Sequence, residues 1–157
     1  MGRAAVNAAD AALAATDEAA PANDYRLQDQ IGFILRRAHQ RHVAIFAAHI
    51  ADLTPPQFAA LAKLRDVGET SQNQLGALIA MDAATVKGVI DRLKARGLVE
   101  LSKHEVDKRR LLVNLTPQGR EAIERLIPLA RAITEETLAP LTAKETATFL
   151  RLLAKLA

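Results

Sequence analysis

The stretch "DRLKARGLVELSKHEVDKRRLLVNLTPQG", residues 91–119, changes its period twice. Its first residues close a helical pattern at Gly97. "GLVELSK" and "RRLLVNL" are then short and rich in Val and Leu. They bracket a turn crowded with Glu105, Asp107, Lys108, Arg109 and Arg110. Two such runs around a polar turn read as a β-hairpin. Thr116 and Pro117 open a helix directly after it. Taken alone, the charged run reads as a solvated turn, so its meaning rests on what precedes it.

Upstream lie two short capped helices. In "TSQNQLGALI", Ser71 and Gln74 are spaced as a capping box. In "MDAATVKGVIDRLKAR", Asp82 is the cap, Met81 and Val86 the hydrophobic staple, and Val86, Val89 or Ile90, and Leu93 the core face. Before them, "LTPPQF" places Thr54 as cap, Pro55 at the first helical position, Gln57 to complete a box, and Leu53 with Phe58 as staple. That helix runs to about Val67 and stops at Gly68. A long helical pattern covers Tyr25 to Ala51, with Ile31, Leu35, Ala38, His42, Ile45 and His49 on one face. After the hairpin, a helix runs through "EAIERLIPLARAITEETLA", where Pro128 is expected to bend it. Thr142 and Glu145 then box the last helix. The Ala-rich residues 1–24 fit either a disordered tail or a frayed helix.

The chain has 157 residues, enough for one domain with a helical extension. It has no Cys, so disulfides and thiolate chemistry are excluded. Aromatics make up only 3%, while Ala and Leu dominate, which favours helix packing. The net charge of +3 is unevenly placed. From Lys87 to Arg120 there are nine Lys and Arg against four acids, which leans toward a polyanionic partner. No apolar run is long enough to span a bilayer, and Arg3 is followed by no apolar signal core, so a cytoplasmic location is expected.

Two short capped helices followed by a basic hairpin describe a winged helix-turn-helix. The expected fold is mainly α with a small β-hairpin wing. The second short helix presents its N-terminal residues to a major groove, which is wide enough for one helix. The hairpin tip reaches an adjacent groove and needs cations there, because phosphates wall every groove. Lys103, His104, Lys108 and Arg110 join Arg109 as candidate contacts on this wing.

The residues from Thr54 to Arg125 resemble the MarR family of bacterial transcription regulators. The resemblance rests on Arg96–Val99, on Asp107 and Arg109 in the wing, and on Leu115 and Thr116 followed by Gly119. It implies a homodimer. Residues 25–52 and 118–157 would form a helical dimerisation region, and residues 53–117 the winged DNA-binding domain. Apolar Ile123, Leu126, Ile127, Ala130, Ile133, Leu138, Leu141, Phe149, Leu152, Leu153 and Leu156 would then be covered across a two-fold. By position, Arg109 is expected in a minor groove with Asp107 holding it. Ala84, Thr85 and Lys87 face DNA, and Ser71, Gln72 and Asn73 meet a phosphate. Many relatives carry polar residues early in the reading helix and an Arg two turns in. Here stand Ala83, Ala84 and Gly88, so thymine-methyl contact or shape readout is expected to fill in.

"GFILRRAHQRH" offers Phe33 for stacking and Arg36, Arg37, Arg41 and His42 for an anion, with Phe46 one turn further on. The stretch resembles the family subgroup that controls catabolism of aromatic acids, which implies an anionic aromatic effector, either the acid or its coenzyme A thioester. The same His residues also fit a core role satisfied by a backbone carbonyl, and the Arg residues a solvated helix. No carboxylate or Cys sits at ligand spacing beside them, so no metal or other cofactor is expected. Two other classes compete with a ligand-responsive repressor. One is a winged-helix module for protein contacts. The other is an enzyme, for which the chain offers no Gly-rich phosphate loop and no Cys nucleophile.

Overall fold

The computed structural model describes residues 25–107 and 111–157. The N-terminal stretch 1–24 and the wing-tip residues Lys108, Arg109 and Arg110 lie outside the described residues. The elements run α1 (Ile31–His49), α2 (Pro55–Val67), β1 (Thr70–Ser71), α3 (Gln72–Leu78), α4 (Ala83–Ala95), β2 (Val99–Lys103), β3 (Leu111–Leu115), α5 (Pro117–Leu138) and α6 (Ala143–Leu153). This is the mainly α, winged architecture that the sequence implies.

The caps form where the side chains call for them. Thr54 with Gln57 and Thr142 with Glu145 make full capping boxes. Ser71 makes the forward bond, accepting from the Gln74 N–H at 3.3 Å. Asp82 caps α4 by accepting from the Thr85 N–H at 2.8 Å. Gly68 and Gly97 end α2 and α4 at φ +75° and +69°, where a side chain would be strained. α5 continues through Pro128 to Leu138.

Three details differ from the sequence reading. The first helix begins at Ile31 rather than Tyr25. A 3-10 turn, Leu27–Asp29, precedes it, and Gln30 is extended at ψ 134°. The wing is part of a three-stranded antiparallel sheet in the order β1-β3-β2, with Thr70 opposite Val113 and Val99 opposite Leu115. β1 has only two residues, too few to carry a period of its own. The apolar face assigned to the first helix is also only partly used. Ile45 and Phe46 are buried, whereas Ile31 and Leu35 are exposed.

One core joins the elements. Ala60, Leu61 and Leu64 of α2 meet Leu75 of α3 and all four residues Val86, Val89, Ile90 and Leu93 of α4. Leu98, Val99, Val113 and Leu115 extend it under the wing, and Ile45, Phe46, Ile123 and Ile133 carry it up to α1 and α5. Each fully buried aliphatic side chain contributes about 1.5–3 kcal/mol. Ile123 and Ile133 therefore stabilise the single chain, although the sequence reading grouped them with a dimer surface. α6 has no buried residue.

Candidate nucleic-acid interface

The sequence between residues 72 and 95 folds into two helices joined at a tight corner. α3 ends in a Schellman motif. The Met81 N–H donates to the Gly76 carbonyl at 2.9 Å and the Ala80 N–H to that of Ala77 at 3.3 Å. Ala80 takes the left-handed position at φ 54°. Gly76 admits the corner, since a Cβ there would stand 3.0 Å from the Met81 carbonyl oxygen and 3.2 Å from the Val86 side chain. The corner fixes α4 with its apolar face inward. Ala83, Ala84, Thr85, Lys87, Asp91 and Arg92 are left exposed.

The polar groups on that face have local partners. Asp82 Oδ2 accepts from the Thr85 hydroxyl at 2.7 Å, and Lys87 Nζ lies 2.6 Å from Asp91 Oδ2. The Thr85 backbone N–H, followed by its hydroxyl, holds the Asp82 carboxyl below its ordinary range. A charged cap and a pre-set Thr85 rotamer keep the start of the reading helix in one conformation. Ser71 and Gln72 are half-buried beneath this face, and Asn73 is exposed.

α4 closes with a second Schellman motif, here with glycine. The Leu98 N–H donates to the Leu93 carbonyl at 3.0 Å and the Gly97 N–H to that of Lys94 at 2.9 Å. The start of α5 presses on this point. The Thr116 hydroxyl donates to the Gly97 carbonyl at 2.6 Å and accepts from the Gly119 N–H at 3.0 Å. A Cβ on Gly119 would come 1.9 Å from the Leu98 carbonyl oxygen, so only glycine fits. The separated motif pieces, Arg96–Val99 and Leu115–Gly119, thus form one junction that ties the reading helix, the wing and α5 together.

Along the wing, Lys103 is exposed at the end of β2. The sequence reading took His104 for a phosphate contact or a solvated residue. Its Nδ1 accepts from the backbone N–H groups of Val106 and Asp107, both at 3.2 Å. His104 therefore shapes the turn, and its Nε2 is left to donate outward. Asp107 is exposed beside the tip. Behind the lobe, Arg65 clamps α2 to α5 by donating to both oxygens of Glu124, at 2.6 and 3.2 Å.

The six α1 residues named for an effector do not gather. Phe33 and Phe46 are 13 residues apart, or about 20 Å along the helix. Phe33 sits under the guanidinium groups of Arg36 and Arg37, at 5.3 and 6.0 Å from the ring centroid. Phe46 is in the core, edge-on to Phe58. Arg41 donates to the carbonyls of Thr137 and Glu136, and so caps the C-terminal end of α5. His42 Nδ1 lies 3.0 Å from the Thr137 hydroxyl, and His49 Nε2 lies 2.7 Å from Glu136. These histidines are satisfied by side chains of α5 rather than by a backbone carbonyl. The sequence reading missed the Arg41 cap, because the pairing spans 96 residues. Among the described residues, no three His, Cys, Asp or Glu side chains gather as a metal site, and no helix is long and apolar enough to cross a membrane.

A reading helix with its outer face free, a wing, and the junction between them define a winged helix-turn-helix protein. Comparison with known proteins agrees. The MarR family model matches residues 53–111. The HTH-type transcriptional repressor NicR of Pseudomonas putida KT2440 is 42% identical over 145 residues, covering 90% of this chain and 92% of NicR. The structure of a probable transcriptional regulator from Pseudomonas aeruginosa superposes with a TM-score of 0.82 at 53% identity, covering 84% of this chain and 100% of that one. A structure described as the mechanism for regulation of DNA binding of Bordetella bronchiseptica BpsR by 6-hydroxynicotinic acid superposes at 0.81 with 45% identity, over 84% and 96% of the two chains. The chain belongs to the MarR family of transcriptional regulators.

Proposed function

We propose that the protein is a homodimeric repressor that binds a pseudo-palindromic operator and releases it when a small anionic aromatic acid binds. The observation that carries the DNA reading is the division of α4. Its apolar face is wholly buried, while Ala84, Thr85 and Lys87 stand outward beside a basic wing. In this reading α4 lies in the major groove, with Ser71, Gln72 and Asn73 over a phosphate. Lys103, His104, Asp107, Lys108, Arg109 and Arg110 work in and around the minor groove. The dimer reading is supported by α6, which buries no side chain within its own protomer. Residues 25–52 and 118–157 then form the dimerisation region around the winged domain of residues 53–117. A repressor of this kind works in the bacterial cytoplasm, on the nucleoid.

The effector class follows from BpsR, whose DNA binding is regulated by 6-hydroxynicotinic acid. A hydroxylated one-ring carboxylate of that type is the effector proposed here, in preference to a coenzyme A thioester. Phe33, Arg36 and Arg37 offer it one cation-rich face on α1. The test is operator titration. Arg109→Ala should weaken binding by about 1–3 kcal/mol. Lys108→Ala should weaken it less, and evenly across sequences. Wild-type affinity should fall steeply with salt as counterions are released. Affinity that ignores both substitutions and salt would instead favour a winged-helix module for protein contacts.

A further inference from the structure

The outer face of α4 carries a residue that no packing within the protomer explains. Gly88 lies near the middle of the helix, about 150° around its axis from the centre of the buried face of Val86, Val89, Ile90 and Leu93. Glycine is among the least favourable residues in a helix interior, so a glycine here needs a reason. Close packing gives none. A Cβ built on Gly88 would meet one side chain within 4 Å, the Arg92 guanidinium, at an ordinary contact distance of 3.9 Å. Gly88 is nevertheless half-buried, although Ala84 and Asp91 on the same face are exposed. A helical side chain covers the turn N-terminal to its own Cα. Arg92 does so here, and the missing side chain at Gly88 gives its guanidinium the middle of the outer face.

Resting on the reading of α4 as the DNA-binding helix, we infer that Arg92 reads a guanine of each operator half-site in the major groove, and that Gly88 supplies the space for it. This names the base that the helix selects.

Chemistry separates Arg92 from its neighbours. The Thr85 hydroxyl spends its proton on Asp82 Oδ2. Lys87 Nζ sits 2.6 Å from Asp91, and as a compact point charge it suits a phosphate better than a base edge. Arg96 is drawn to the Asp52 carbonyl. The Arg92 side chain is exposed, and among the described residues no acceptor or carboxylate pairs with it. Its five N–H donors are all kept, in one planar fork. That fork matches guanine, whose O6 and N7 both accept on the major-groove edge. Adenine sets an amino donor beside its N7, and neither pyrimidine offers two acceptors.

The experiment selects operator duplexes from a random DNA pool with the full-length protein, and repeats the selection with Arg92→Ala and Gly88→Leu. Low salt keeps weakened variants on DNA through phosphate contacts. The wild-type half-site should hold an invariant guanine. Replacing it with 7-deazaguanine, which lacks the N7 acceptor, should weaken wild-type binding about tenfold or more. Arg92→Ala should lose the preference at that position alone, be indifferent to 7-deazaguanine there, and keep the wild-type urea midpoint. Gly88→Leu fills the space under the guanidinium and should lose the same preference with a midpoint no lower than that of the wild type. A Gly88→Leu variant that still selects the guanine overturns the role given to Gly88. If Arg92→Ala selects the wild-type half-site, or binds all sequences evenly more weakly, Arg92 is a phosphate contact and the inference is overturned with the DNA reading intact. A selected half-site without an invariant guanine has the same meaning. Failure of the wild type to select any sequence overturns both.

Discussion

α4 and α6 are both capped, amphipathic helices, and they end in opposite conditions. α4 buries Val86, Val89, Ile90 and Leu93 within its own chain. α6 buries nothing, and Phe149, Leu150 and Leu152 are each more than 40% exposed. The same kind of pattern therefore does two jobs. In α4 it fixes a helix in the protomer and leaves the other face exposed. In α6 it leaves a face that is satisfied only from outside. The exposed Ile31, Ile34 and Leu35 at the start of α1 share that condition. A single-chain core thus ends where the proposed dimer begins.

The sharpest way to break the α4 side is Gly119→Ala. The added Cβ meets the Leu98 carbonyl, a backbone atom that cannot rotate away. The junction should lose about 3 kcal/mol or more, seen as a lower urea midpoint. Unchanged stability would mean that α5 does not press on the wing as described. On the α6 side, Leu152→Asp places a charge on the unpartnered face. It should weaken dimerisation at least about a hundredfold, with the winged lobe still folded by circular dichroism. A dimer of unaltered strength in sedimentation would remove α6 from the interface.

A smaller effect tests the corner before α4. Two Schellman motifs flank that helix, one with Gly97 and the other with Ala80 in the left-handed position. Ala80→Gly should raise stability by up to about 1 kcal/mol, the relieved strain being partly offset by the freer unfolded chain. A lower melting temperature would contradict the strain argument. The smallest effect concerns pH. The hydrogen bond from Arg65 is the main cause that holds the Glu124 carboxyl below its ordinary value of 4.5. In this range the unfolded chain binds more protons than the folded one. The stabilisation is therefore complete above about pH 4.5 and is lost as pH falls through the depressed value. Glu124→Gln should remove this part of the acid sensitivity, lowering stability slightly at pH 7 and leaving it unchanged where Glu124 is already protonated. An acid unfolding curve identical in shape to that of the wild type would show that the clamp does not contribute.

Local chemistry makes much of the lobe readable in the sequence. Caps at Thr54, Ser71, Asp82, Thr116 and Thr142 act within three residues, so their spacing is visible in the sequence. Gly68 and Gly97 stop helices for an equally local reason. What stayed hidden is non-local. β1 exists because Thr70 meets Val113. Arg41 is drawn to the far end of α5. Ile123 and Ile133 share a helix face with Leu126, Ile127 and Ala130, which are only half-buried, and periodicity cannot tell which apolar positions a chain covers by itself. The winged helix-turn-helix was legible as a constellation of helix pair and basic hairpin. The cavity at the α1–α2 corner was not, because its walls come from three segments far apart in sequence, residues 49–53, 96–98 and 118–129.

A two-fold repressor places two chains on one operator. Sedimentation equilibrium of the wild-type protein with a short operator duplex measures this directly. Two chains per duplex are expected at physiological salt, on half-sites about 10 base pairs apart, with loss of the complex as salt rises. One chain bound per duplex, or a complex indifferent to salt, would contradict it.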